Sequence, residues 1–202
     1  EFIVNRDVLD PRPDSELIID TVKELFTNKE ESLNFLDLGT GSGCLLITLL
    51  LEYKKSRGIG IDISEKAIAI AKKNSHLFSI KNRSSFIVSD WIGAIDHSDF
   101  NVIVCNPPYI PETEINNLIV DVKSYDPIIS LVGGCDGLIN YKKIFSQLTK
   151  RKLNKKIILI LEIYSSNIDA IVKIIIDEGF DKNIIKIRQD LANKKRVIYM
   201  TL

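Results

Sequence analysis

The sequence predicts an α/β domain: a doubly wound, mostly parallel sheet of seven strands that ends in an antiparallel hairpin. Three observations lead there. Short apolar, β-branched runs alternate with longer amphipathic segments of helical period along most of the chain. Three glycines at alternate positions, Gly39, Gly41 and Gly43, stand between the first such run and the helical segment after it. The last two apolar runs, 184–188 and 197–201, follow one another with no helical segment between them, as a hairpin requires.

Composition fits this class. A chain of 202 residues is long enough for one sizeable core. Hydrophobic residues make up 45% and charged residues 27%, the balance of an ordinary soluble domain. Lys+Arg and Asp+Glu both number 27, so the formal net charge is zero, which argues against nucleic-acid binding driven by overall charge. Cys44, Cys105 and Cys135 match neither zinc-ligand spacing nor a disulfide framework; they suit a reducing cytosol, and a cytoplasmic location is expected. The longest apolar run, 44–51, is too short to span a bilayer, and no signal-peptide pattern is visible.

In chain order, residues 1–14 read as an extended lead-in. Pro11 and Pro13 block a helix, and Arg12 between them is placed either to clamp a carboxylate or to stand in solvent. Asp14 or Ser15 is expected to cap the helix that follows, in which Leu17, Ile18, Thr21, Val22 and Leu25 recur at helical spacing. The run 34–38 reads as a strand that feeds Gly39-Thr40-Gly41-Ser42-Gly43. Those glycines allow a tight turn and close ligand approach, and the helix start after them favours electron-rich ligand groups.

A second strand ends at Asp62, about 20 residues beyond the glycines, the spacing at which an acid meets a ribose hydroxyl pair. Capping the next helix, 64–74, is the other reading of Asp62, although Ser64 can do that instead. A third strand, 85–88, ends at Asp90-Trp91. That pair is suited to bracket an adenine, the acid on the amino group and the indole on the ring; otherwise Trp91 is core.

The fourth strand, 101–105, runs into Asn106-Pro107-Pro108-Tyr109. Two prolines stop the ladder and remove donors, so this turn offers acceptors at a strand's carboxyl end, where open α/β sheets bind ligands. Asn106 adds an amide oxygen and Tyr109 a flat ring, a pairing suited to a planar –NH2 group. The glycines and Asp62 leave S-adenosylmethionine and NAD both open. The acceptor turn favours methyl transfer, having no obvious use in hydride transfer.

Segment 112–127 reads as a long loop with few structural signals, and Gly133, Gly134 and Gly137 suggest a mobile lid around Cys135 and Asp136. A helix is expected at 138–149, a strand at 156–162 and a helix at 167–178 before Gly179. The basic clusters 150–156 and 194–196 read as solvated connections or a contact for nucleic acid.

Several stretches together resemble the catalytic domain of the HemK/PrmC family, the protein-(glutamine-N5) methyltransferases of peptide-chain release factors. They are Phe2-Ile3-Val4 through Arg12-Pro13-Asp14-Ser15-Glu16, Asp37 through Gly43, Asp90-Trp91, Asn106 through Tyr109, Tyr125-Asp126-Pro127, Gly133 through Gly137, and Asp190-Leu191-Ala192 with Arg196-Val197. They run almost from end to end. Asn-Pro-Pro-Tyr alone also resembles DNA adenine and RNA guanine N-methyltransferases.

The resemblance implies a class I, Rossmann-like methyltransferase fold over residues 1–202, led into from an N-terminal helical domain outside this chain. It implies S-adenosylmethionine as methyl donor, S-adenosylhomocysteine as product, and the Gly-Gly-Gln loop of a release factor as substrate. No metal, nucleic-acid substrate or membrane is expected, and a monomer is. Gly39, Thr40, Gly41, Ser42, Gly43, Asp62, Asp90, Trp91 and Asn106 would bind cofactor; Asn106, Pro107, Pro108 and Tyr109 would hold the glutamine amide and carry catalysis; Arg12 would touch substrate. Two positions depart from the family: Tyr164 stands where a Gly is usual, and Asn193 follows Leu191-Ala192 where a Gly is usual. Both are expected to lie off the methyl-transfer motif.

Overall fold

The computed structural model describes residues 1–93, 95–118, 125–149 and 155–202. Seven strands form one sheet: β1 (Asn34–Leu38), β2 (Arg57–Asp62), β3 (Ser84–Val88), β4 (Val102–Cys105), β5 (Ile158–Glu162), β6 (Lys186–Gln189) and β7 (Lys195–Thr201). Their order is β3-β2-β1-β4-β5-β7-β6. The first five pair in parallel, and β7 runs antiparallel to both β5 and β6. The predicted fold class is therefore the one found.

Helices cover both faces, as a parallel sheet requires. On one face α1 (Glu16–Leu25), α2 (Cys44–Glu52) and α3 (Glu65–Leu77) bury Ile18, Val22, Leu46, Leu50 and Ile68 against Phe35, Phe86, Val102, Val104 and Ile160. On the other, α4 (Ile139–Leu148) and α5 (Ile168–Asp177) bury Tyr141, Phe145, Ile171 and Ile175 against Leu36, Leu38, Ile103, Leu159 and Leu161. Consecutive strand residues thus serve opposite faces, which is why the central runs are apolar throughout rather than alternating.

Close packing sets two glycines inside β2. A Cβ on Gly58 would run into Leu46 Cδ1, and one on Gly60 would lie 2.6 Å from Thr40 Oγ1 and 2.8 Å from the Phe86 ring. The first pins α2 to the sheet; the second lets the glycine loop lie down on β2.

Several expectations need correction. Neither Asp14 nor Ser15 caps α1 with its side chain. Asp14 lies in a 3₁₀ turn and pairs with Arg196 at 3.1 Å, while the Ser15 hydroxyl is drawn into the sheet edge by a buried acid. The loop begins with 3₁₀ helix Glu112–Asn117, and 119–124 lie outside the described residues. The Gly133–Gly137 turn is no free lid. Ile110 and Val132 form a parallel bridge, Gly133 N donates to Ile110 O, and Glu112 N donates to Gly134 O. In the basic cluster at 194–196, Arg196 is largely buried and pairs with both Asp190 and Asp14, so it is a structural cation. Of the other cluster, 150–154 lie outside the described residues; Lys155 Nζ donates to Asp99 O. No described helix is long and apolar enough to cross a membrane.

Candidate functional site

Parallel strands deliver their last residues to one edge of the sheet, and each central strand ends in a polar group there. β1 delivers the glycine loop, β2 Asp62, β3 Asp90 and Trp91, β4 Asn106, and β5 Glu162. The reversal of strand order between β1 and β4 opens a crevice at that edge.

Gly39, Gly41 and Gly43 all have left-handed backbone, φ 69°, 54° and 81°. A Cβ on Gly39 would meet the Trp91 ring at 3.4 Å, whereas one on Gly41 would meet nothing within 4 Å. Gly41 therefore presents bare backbone to open space. Asp62 holds the loop in that shape: its Oδ2 accepts from Gly41 N at 2.9 Å and its Oδ1 from Ser64 N at 2.9 Å. Burial pushes the Asp62 pKa up, and these N–H donors oppose the shift. Ser64, not Asp62, caps α3, accepting from Ala67 N at 3.2 Å.

Two cavities meet over the loop. One of about 620 Å³ is bounded by Gly41, Asp62, Ser64, Asp90, Trp91 and Asn106, with Val8, Leu9, Ile128 and Ile129 across from them. The other, of about 510 Å³, is bounded by Arg12, Ser15, Glu16, Thr40, Ser42 and Cys44. Gly39, Gly41 and Asn106 belong to both. The Trp91 ring packs on the core and also walls the first cavity. Asp90 stands at the rim, 3.6 Å from Lys143 Nζ.

Asn106 Nδ2 donates to Ser15 Oγ at 2.9 Å. Ser15 Oγ donates to Glu162 Oε2 at 2.6 Å, and Tyr109 OH donates to Glu162 Oε1 at 2.9 Å. Glu162 is 1% exposed, and burial pushes its pKa up. Burial and the neighbouring Glu162 drive the Tyr109 phenol upward as well, so it stays a donor. Asn140 Nδ2 fixes the other side of the motif by donating to Pro108 O at 2.7 Å.

Two site expectations change. Arg12 does clamp a carboxylate, but that of Asp126 in this chain, whose side chain is 3% exposed and whose Oδ1 also accepts from Asp10 N. The Arg12 side chain stays 38% exposed and also borders the second cavity. Tyr164 does not lie off the motif: its ring stacks on Tyr109 at 5.8 Å between centroids and 9° between planes, and its hydroxyl donates to Glu114 at 2.9 Å.

Four participants escape sequence reading. Ser15, Glu162 and Asn140 act through partners distant in the chain. Asp37 had a local signal, an acid alone in the apolar run ahead of the glycines. It is 1% exposed, its Oδ2 accepts from Thr40 Oγ1 at 2.6 Å, and its Oδ1 has no hydrogen-bond partner among the described residues. Burial pushes its pKa up to about 7.

Comparison with known proteins agrees with this architecture. The family model described as "Methyltransferase small domain" matches residues 7–122. A "Bifunctional methyltransferase" of Rickettsia bellii is 36% identical over 100% of this chain and 40% of its own length. A "Release factor glutamine methyltransferase" of Thermodesulfovibrio yellowstonii is 37% identical over 98% of this chain and 70% of its own. Among solved structures, the hMettl16 catalytic domain in complex with the MAT2A 3′UTR hairpin 6 superposes with TM-score 0.75 at 15% identity, over 99% of this chain and 74% of that one, which speaks to fold alone. The chain spans 40–50% of the length of several of the curated relatives it matches. By these matches it belongs to the HemK/PrmC family of release factor glutamine methyltransferases, within the methyltransferase small-domain class.

Proposed function

We propose that residues 1–202 are a methyl-transfer domain that uses S-adenosylmethionine to methylate the side-chain amide nitrogen of a glutamine, N5, in the Gly-Gly-Gln loop of a peptide-chain release factor. The observation that carries this reading is the orientation of Asn106. Its Nδ2 spends one hydrogen on Ser15, which fixes the amide's orientation and leaves Oδ1 as the acceptor for a ligand, on a side chain that borders both cavities.

The site fits the donor. Gly41 leaves room for a ligand against bare backbone, and Asp62 lies beside it with carboxylate lone pairs for a ribose diol. Trp91 and Asp90 wall the part of the first cavity suited to an adenine, and Thr40 and Ser42 line the second. When bound, S-adenosylmethionine supplies an electrophilic methyl group on its sulfonium.

A glutamine amide nitrogen is a weak nucleophile, because its lone pair is delocalised into the carbonyl. What the chain adds is position. Asn106 Oδ1 and the Pro107 carbonyl accept the two amide hydrogens, and the Tyr109 ring packs on the amide plane, its hydroxyl held by Glu162 and its ring stacked on that of Tyr164. Pro108 contributes rigidity, its carbonyl taken by Asn140. Orientation of this kind supplies about 7–11 kcal/mol in well-aligned cases.

The test offers labelled S-adenosylmethionine together with release factor, duplex DNA and structured RNA in parallel. Label should enter the release factor and be lost when the loop glutamine is replaced. Label in DNA or RNA, or binding of NAD with no binding of S-adenosylmethionine, overturns the reading.

A further inference from the structure

Glu162 has no contact with either cavity, yet both arms of the Asn106–Tyr109 motif end on it. We infer that Glu162 is a positioning residue: with one oxygen accepting from Ser15 and the other from Tyr109, it fixes the direction of the hydrogen bonds back to Asn106 and so keeps Asn106 Oδ1 facing the substrate. The inference rests on the proposed amide-methylating function for what that oxygen does.

The argument is one of proton supply. The two ends of an Asn side chain have nearly the same shape, so packing alone does not choose between them; hydrogen-bond partners do. Ser15 has a single hydroxyl proton. While that proton goes to Glu162 Oε2 at 2.6 Å, Ser15 Oγ can only accept from Asn106, and the end of Asn106 that donates is Nδ2. Were Ser15 released, its proton could turn to Asn106 Oδ1, and the amide would flip to show the substrate a donor. An –NH2 substrate would then meet an –NH2 group.

The second arm works in the same sense. Tyr109 OH gives its proton to Glu162 Oε1, which holds the ring that packs on the amide plane. Asp14 and Arg196 are the charged groups near Glu162, and Tyr141 OH donates to its backbone carbonyl at 3.0 Å. An ordinary buried acid of the core would have no reason to join two separated side chains of one motif.

The experiment uses Ser15→Ala, Ser15→Thr, Glu162→Gln and the double variant Ser15→Ala/Glu162→Gln. Turnover with release factor should fall on the order of 100-fold in Ser15→Ala, as for a misplaced reacting group, with KM changed less than about threefold. Ser15→Thr keeps the hydroxyl and should recover most of that loss. The double variant should be no worse than the poorer single one, because both act through one relay. Independently of any substrate, the side-chain ¹⁵N–¹H resonances of Asn106 should move, and their exchange quicken, in Ser15→Ala and Glu162→Gln. If the parent protein methylates no release factor, the functional reading falls while the resonances still decide the relay. If Glu162→Gln does not fold, the two Ser15 variants decide it. Near-parental turnover of Ser15→Ala, additive losses, or unmoved Asn106 resonances in Ser15→Ala would each overturn the inference.

Discussion

Single side chains at this edge have separable tasks, and each should fail in its own way. On the proposed function, Asn106→Ala removes an acceptor and lets the substrate amide rotate. Asn106→Asp keeps the shape but places a negative charge beside a cationic donor. Both should fold, bind S-adenosylmethionine within a few-fold of the parent, and lose about 100-fold in kcat under single-turnover conditions. Asp62→Ala should weaken binding of S-adenosylmethionine and its product by about 1.5–3 kcal/mol by calorimetry, and should also lower the Tm of the free protein, because Asp62 braces Gly41. Asp37 has a pH signature. Its folded pKa of about 7 exceeds the ordinary 3.8, so between those values the folded chain holds a proton that the unfolded chain has released. Stability from this group therefore falls as pH rises from about 4 to about 7. Thermal melts across that range should show Asp37→Asn gaining on the parent as pH rises; parallel curves would contradict the assignment. At this scale Asn106, Asp62 and the glycines were legible in the sequence, because each breaks an apolar run within a few residues. Glu162 breaks one too, but its partner Ser15 lies 147 positions away, and no local pattern ties them.

Elements were legible wherever burial alone decides them, and less so where a distant residue intervenes. The central strands β1, β4 and β5 needed little beyond their apolar runs. The start of α1 was misjudged because a tertiary partner took the hydroxyl that a local cap would use. The Gly133–Gly137 turn was misjudged because its glycines read as freedom, whereas they allow close approach. A Cβ on Gly133 would lie 2.8 Å from Tyr109 Cα, and one on Gly137, at φ 74°, would strike Tyr109 O. The turn is thus a buttress behind the Asn106–Tyr109 motif. Gly137→Ala is expected to cost about 1–3 kcal/mol in denaturant melts through backbone strain. It should also lower kcat by displacing Tyr109 while leaving affinity for S-adenosylhomocysteine near the parental value. Parental kcat in a destabilised Gly137→Ala protein would remove the buttress from the mechanism.

Across the whole molecule, the lead-in and the segment after 124 meet above the larger cavity. Arg12 and Asp10 grip Asp126, and the Arg6 guanidinium lies 5.9 Å from the centre of the Tyr125 ring. Arg12→Ala should loosen this join without touching the glycine loop, so S-adenosylhomocysteine should dissociate faster in stopped-flow measurements; an unchanged off-rate would leave Arg12 a purely local anchor. The segments meeting here are far apart in sequence, which is why the carboxylate partner of Arg12 was not legible there. The strand order β3-β2-β1-β4-β5-β7-β6 has a further consequence. On the proposed function, the donor-side groups from the glycine loop to Trp91 precede β4, and Tyr109, Asn140, Glu162 and Tyr164 on the acceptor side come from β4 onward, with Asn106 bordering both cavities. Ser15 crosses over, as do Arg12 to Asp126 and Asp90 to Lys143. On the proposed function, a graft cut between β3 and β4 would exchange what is methylated while keeping what supplies the methyl group, provided Ser15, Arg12 and Asp90 keep their partners across the cut.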